Sequence, residues 1–191
     1  NNIISDSHGI TWKTSFWIIL IGWIIYLLPF LPGNIAGDAN YQLSQYFKYT
    51  PMTNHHPFLS TIFEGGVFNL GKHFLGDNFG LFLYVFIQLL ICAIIYSFCI
   101  SRISRLGINS KLAVIFSLFI GFAPYWSFAS ETLHKDGMFL AFFALYISSL
   151  IIIVSKYVLI GTGNINKKYL VELIITGLLV SFWRNDGIYR I

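Results

Sequence analysis

The chain has 191 residues, of which 56% are apolar, 18% aromatic and only 10% charged, with a net charge of +4. Soluble domains carry about 25% charged residues, so this chain lacks the polar surface to cover a water-soluble globule and takes lipid as its solvent. The positive charge is scattered without a basic stripe, which argues against nucleic acid as a partner.

A spanning helix needs about 20 mostly apolar residues. In chain order, five segments meet or approach this: 14–32, 79–101, 111–129, 137–156 and 169–184. The first follows Lys13 but has no small-residue cleavage site after it and carries tryptophans, so it reads as a retained span rather than a signal peptide. Pro29 and Pro32 end it. Residues 33–78 then form a long first loop. Within it, "GDANYQLSQY" (37–46) reads as a short helix, and "PFLSTIFEGGVFNLGKHFL" (57–75) places Phe58, Ile62, Phe63, Val67, Leu70 and Phe74 at helical spacing after Pro57. Glu64, Asn69 and Lys72 would be costly in hydrocarbon, so the second helix is expected to lie in the interface. Cys92 and Cys99 share one apolar run, about 10 Å apart on a helix, too far for a disulfide with each other. The expected fold is all-α: one polytopic transmembrane bundle over 1–191, with about five spans and an interfacial amphipathic helix. A start at Asn1 and a stop at Ile191 suggest the N-terminal part of a longer protein.

Lysines and arginines in short loops orient such a chain. With the N-terminus in the cytoplasm, the inner segments hold Lys13, Arg102, Arg105, Lys111, Lys156, Lys167 and Lys168. The outer segments hold Lys48, Lys72, Lys135, Arg184 and Arg190, a small inner excess of basic residues. Under this topology Asp38, His55, His56, Glu131, His134, Lys135, Asp136, Arg184 and Asp186 gather on the extracytoplasmic face.

Each of these has two readings. Asp38 is either an acidic N-cap of the 37–46 helix or a general base whose pKa partial desolvation raises. His55 and His56 either cap the helix after Pro57 or bind an anionic ligand; adjacent loop histidines are poor twin metal ligands. In "SETLHKDG" (130–137), Glu131 and Lys135 would pair at i,i+4 on a helix. Glu131, His134, Lys135 and Asp136 together also suit a phosphate or a sugar hydroxyl, with Lys135 as the point charge. In "WRNDG" (183–187), Arg184 is either an interfacial anchor or a planar grip on phosphate, with Asp186 beside it. Trp126 and Trp183 read as aromatic-belt residues or as platforms for a sugar or lipid.

An acid shortly after the first span ("GDANY"), then a histidine–proline start to an interfacial helix ("HHPFL"), then further spans, resembles the GT-C class of integral-membrane glycosyltransferases. Within that class, protein O-mannosyltransferases and aminoarabinose transferases are the nearest comparison. "HKDG" and "WRNDG" also resemble uncharacterised bacterial membrane proteins grouped with it. The class usually has a second acid beside the first, where this chain has Ala39, and about twice as many spans. The resemblance implies an inverting transfer of sugar from a polyprenyl-phosphate donor to an acceptor at the outer face of a bacterial plasma membrane. Asp38 would lie in the catalytic centre and the other outer residues near the phosphate or sugar. It leaves a divalent metal open as a cofactor. The rival class is a transporter or lipid-binding module without chemistry, which calls for polar or ionisable groups at mid-membrane depth or for broken helices near the midplane; the spans offer only Gln88, Glu172 near an inner end, and small residues. A lipid phosphatase ranks last, for want of a familiar motif.

Overall fold

The computed structural model describes residues 9–53, 55–159 and 167–184. It is all-helical apart from two two-residue strands. Helix α1, Trp12–Leu27, begins at Thr11, whose hydroxyl accepts from the Thr14 amide, and runs into a 3-10 turn at Leu28–Phe30 where Pro29 removes a donor. A short strand β1, Asn34–Ile35, leads into α2, Gly37–Tyr46. Helix α3, Phe58–Leu75, then turns tightly at Gly76 (φ +87°) into α4, Asp77–Ser104. Helices α5, Ser110–Phe122, and α6, Pro124–Glu131, lead to strand β2, Thr132–Leu133. Helix α7, Lys135–Ile153, continues as a π-helical turn over Val154–Leu159, and α8 is Lys167–Trp183.

Among the described residues, three helical stretches are long and apolar enough to cross a membrane: Trp12–Phe30, Asp77–Ser104 and Lys135–Tyr157. The expected span at 111–129 is instead a bent pair, α5 and α6, meeting at 54° because Pro124 cannot continue the α5 hydrogen-bond ladder; counted as one span it makes a fourth. The expected fifth, 169–184, corresponds to the 17-residue α8, which falls short of those stretches. The chain therefore carries several apolar helices compatible with a membrane protein.

Helix α1 crosses α5 where Gly22 meets Gly121 so closely that a Cβ on Gly22 would stand 2.1 Å from the Gly121 carbonyl oxygen. Beside this crossing, Trp23 Nε1 donates to the Ile120 carbonyl (2.9 Å) and the Ser15 and Ser117 hydroxyls pair at 2.7 Å. Gln88, the one polar side chain expected deep in the second span, closes the end of α6. Its amide nitrogen donates to the carbonyls of Ser130 (3.0 Å) and Thr132 (2.8 Å), while Tyr84 donates to its oxygen (2.9 Å). A mid-helix amide thus satisfies the orphan carbonyls of a broken helix.

The expected face of α3 divides. Phe63, Val67 and Phe68 pack on the core, whereas Phe58, Ile62, Leu70 and Phe74 are exposed. Glu64, expected at the polar surface, points the other way and is fully buried.

Candidate functional site

The two strands pair in parallel, Asn34 with Thr132 and Ile35 with Leu133, and each feeds straight into a helix. The Ala36 amide extends the ladder to the Leu133 carbonyl at 3.3 Å. The register sets the start of α2 beside the start of α7. Asp38 and Lys135, 97 positions apart, meet because they follow the paired Ile35 and Leu133 by three and two residues.

Lys135 Nζ lies 2.9 Å from Asp38 Oδ2 and 3.1 Å from His56 Nδ1. Lys135 and His56 are buried, whereas the Asp38 side chain keeps 56% of its surface. The Lys135 hydrogen bond outweighs desolvation and holds the Asp38 carboxyl below its ordinary value, so the expected upward shift of a desolvated base is reversed. Asp38 is not the N-cap either. Ala36 holds that position, and Asp38 sits in the first turn, where its charge favours the helix dipole. Burial, then the Lys135 charge, push the His56 imidazole down, leaving it neutral with Nδ1 accepting from the ammonium. His56 is followed by Pro57, which is the residue before α3 rather than its first. His55 is exposed, its ring centroid 4.7 Å from that of His56.

At the start of α7, His134 is the N-cap, its Nδ1 accepting from the Asp136 amide at 3.1 Å. Asp136 pairs with Arg184 at 3.1 Å, and the Arg184 guanidinium lies over the Phe139 ring. Trp183 Nε1 donates to the Lys135 carbonyl (3.0 Å), fixing the end of α8 to the start of α7. Trp183 is a core residue between the rings of Phe63 and Phe142, which corrects the expectation of a belt residue or sugar platform; Trp126 packs edge-on to Tyr96. Glu131 is buried at the end of α6, its Oε2 without a hydrogen-bond partner. The expected i,i+4 pair of Glu131 and Lys135 does not form, because β2 interrupts the helix between them and Lys135 turns to Asp38. Asp186 lies outside the described residues.

Glu64 is the member that the sequence reading placed elsewhere. Neither of its oxygens meets a hydrogen-bond partner. Burial pushes its carboxyl up to about 8, against the attraction of Lys135 and with help from Asp136 and Asp38. At pH 7 it is therefore a neutral acid. The signal was present: Ser60, Glu64, Phe68 and Gly71 recur at helical spacing and all are buried. Gln42 ties this face to α2, its amide donating to the Ser60 and Thr61 hydroxyls at 3.0 Å each. Among the described residues, no three His, Cys, Asp or Glu side chains converge closely enough to hold a metal ion.

The arrangement offers an exposed, ionised carboxylate held by a buried ammonium, a neutral imidazole behind it, a neutral acid beneath, and an arginine on the same end of the bundle. It can accept a proton at Asp38 and hold negative charge near Lys135 and Arg184. No curated protein and no solved structure matches the chain. Residues 47–191 match a family whose description is "Family of unknown function (DUF6020)", a stretch that includes His56, Glu64, Lys135 and Arg184 and begins after Asp38. That match covers most of the sequence, and the chain belongs to this family.

Proposed function

We propose that the chain forms part of an integral-membrane glycosyltransferase, which moves a sugar from a polyprenyl-phosphate carrier to an acceptor hydroxyl at the extracytoplasmic face. The observation that carries this reading is the Asp38–Lys135–His56 contact: an exposed carboxylate kept ionised by a buried ammonium. The N-terminus is cytoplasmic in this reading, from the small basic excess of the inner segments, and α8 is a fifth crossing that returns beside α7.

The acceptor oxygen attacks the anomeric carbon, the bond from that carbon to the carrier phosphate breaks, and the hydroxyl proton passes to Asp38. The hydroxyl becomes acidic only as the new bond forms, so a carboxylate of lowered pKa still accepts the proton late in the step. The departing phosphate takes the electron pair; the third N–H of Lys135 and the guanidinium of Arg184 offset its charge. His56 and Asp38 fix the Lys135 ammonium, and Asp136 holds Arg184. A cleft of about 530 Å³ lined by Tyr96, Ile100, Leu112, Phe116, Ile120 and Ile147 suits the carrier's apolar tail.

That cleft also favours the rival reading, a lipid-binding module without chemistry. Transfer of labelled sugar from a polyprenyl-phosphate donor by the full-length protein in proteoliposomes separates the two. The transferase reading expects turnover that Arg184→Ala and Arg184→Lys both reduce, since lysine lacks the planar fork. Donor binding without turnover would leave the module.

A further inference from the structure

Beyond Asp38, the loop that follows α2 borders a second feature, an open hollow of mixed polar and apolar lining. The chain turns at Lys48, which adopts a left-handed conformation (φ +62°). The amides of Tyr49 and Thr50 both donate to the Ser44 carbonyl, at 2.8 and 3.2 Å. Gln45 Nε2 donates to the Pro51 carbonyl (3.3 Å) and to Thr53 Oγ1 (2.9 Å). These bonds staple the loop to the last turn of α2, so it stands as a fixed rim. Between rim and α3 lies a cavity of about 710 Å³, lined by Gln45, Tyr46, Lys48, Tyr49, Thr50 and Ile62 among others. Its volume is that of a small-molecule site.

The lining has a definite chemistry. Gln45 is 2% exposed, and its Oε1 meets no hydrogen-bond partner; Thr50 Oγ1 is likewise buried and without one. Tyr49 is 79% exposed at the mouth, beside the exposed Lys48. A buried acceptor left without a donor is costly, so a ligand that brings donors is favoured here once a side-chain rotation turns these atoms into the cavity. A lipid chain brings none, and a fully ionised phosphate brings none. A sugar ring brings hydroxyl donors for Gln45 and Thr50, hydroxyl oxygens for the Lys48 ammonium, and a C–H face for the Tyr49 ring.

The cavity is also placed for the reaction. Tyr41 lies one turn before Gln45 on α2, and its ring centroid is 6.0 Å from that of His56, which touches Lys135. Asp38 to Gln45 is seven residues of helix, about 10 Å, short enough for one ligand to touch both ends. We propose that this cavity is a carbohydrate-binding site for the acceptor, with a sugar ring on Tyr49 and its hydroxyls on Gln45 and Thr50. The word acceptor rests on the transferase reading; the ligand chemistry rests on the cavity alone.

The test measures binding without any donor. Full-length protein in lipid nanodiscs is titrated with methyl glycosides of mannose, glucose, galactose and N-acetylglucosamine, read by saturation-transfer NMR. At least one glycoside is expected to receive saturation on its ring C–H protons. Tyr49→Ala, which removes only an exposed ring, should weaken its Kd roughly 2- to 10-fold. Thr50→Val, of the same shape, should also weaken it, while Phe74→Ala at the far end of α3 should not. Absence of binding by all four glycosides, or equal binding to the Tyr49→Ala and Thr50→Val proteins, overturns the proposal. Glycoside binding in a protein with no transfer activity would overturn the transferase reading and leave the carbohydrate site standing.

Discussion

Two polar clusters, each partly buried, clamp the helices, one at each end of α7. Lys135 and Ser149 are 14 residues apart on that helix, about 21 Å. At the Ser149 end, Arg102 of α4 places two N–H donors on the two oxygens of Glu172 of α8. Ser149 adds its hydroxyl at 2.9 Å, and the guanidinium lies over the Phe98 ring. One acid, one base and one hydroxyl satisfy one another. At the Lys135 end, Asp38 and Glu64 lie near Lys135 and Asp136 pairs with Arg184; both oxygens of Glu64 are unpartnered, as is one oxygen of Glu131 at the end of α6. Structural clamps close their hydrogen bonds, because a buried polar group left open is costly. A cluster that keeps unpartnered carboxyl groups and an exposed ionised Asp38 gives up stability at that end. Such a concession is expected where a ligand binds.

If the ends differ in this way, mutations should separate stability from activity. The largest effect is expected from Lys135→Met in the full-length protein. Sugar transfer should fall by a factor of roughly 10² or more, because both Asp38 and the departing phosphate lose their cation. Transfer near the parent rate would reduce Lys135 to a structural pair. Next, Arg102→Ala strands the Glu172 carboxylate and should cost on the order of 3 kcal/mol of stability in detergent, while kcat for sugar transfer by the folded protein stays unchanged. A lowered kcat at unchanged stability would erase the contrast between the ends.

A smaller effect belongs to Glu64. Its folded pKa, about 8, stands above the ordinary glutamate value of 4.5. Below about pH 4.5 the proton is on in both states, and above about 8 it is off in both. Between them the folded protein binds more protons than the unfolded chain, so this group makes stability fall as pH rises. Glu64→Gln should therefore raise the thermal midpoint at pH 7–8 and flatten its pH dependence between about 5 and 8. An unchanged profile would show that Glu64 is ionised or solvated. The smallest effect is expected at the exposed Lys72–Asp77 pair, 2.8 Å apart at the α3–α4 turn, where Lys72→Ala should leave the thermal midpoint unmoved.

The contrast was half legible in the sequence. The apolar runs around Ile19, Leu89 and Phe142 announce their helices, because a lipid-facing helix has nearly one residue class to choose from. The gathering of Asp38, His56, Lys135 and Arg184 followed from loop positions alone. The contact between Asp38 and Lys135 was out of reach, since it depends on strands of two residues each, joined through backbone groups that leave no side-chain pattern. Pro124 signals the break in the third apolar run, but the run is apolar on both sides of it and reads as continuous. Glu64 went astray for a physical reason. A carboxylate is assigned to the surface on the cost of burying its charge, and this one avoids that cost by staying protonated.

The account turns on Asp38 as the proton acceptor, and Asp38→Asn tests it most directly. Asparagine keeps the shape and an oxygen for Lys135 but cannot take a proton at neutral pH. The measurement is transfer of labelled sugar from a polyprenyl-phosphate donor by the full-length variant in proteoliposomes, with its thermal midpoint recorded alongside. The account predicts a midpoint near that of the parent and a rate lower by roughly 10² or more. Transfer close to the parent rate would contradict it and leave Asp38 as an ion-pair partner of Lys135.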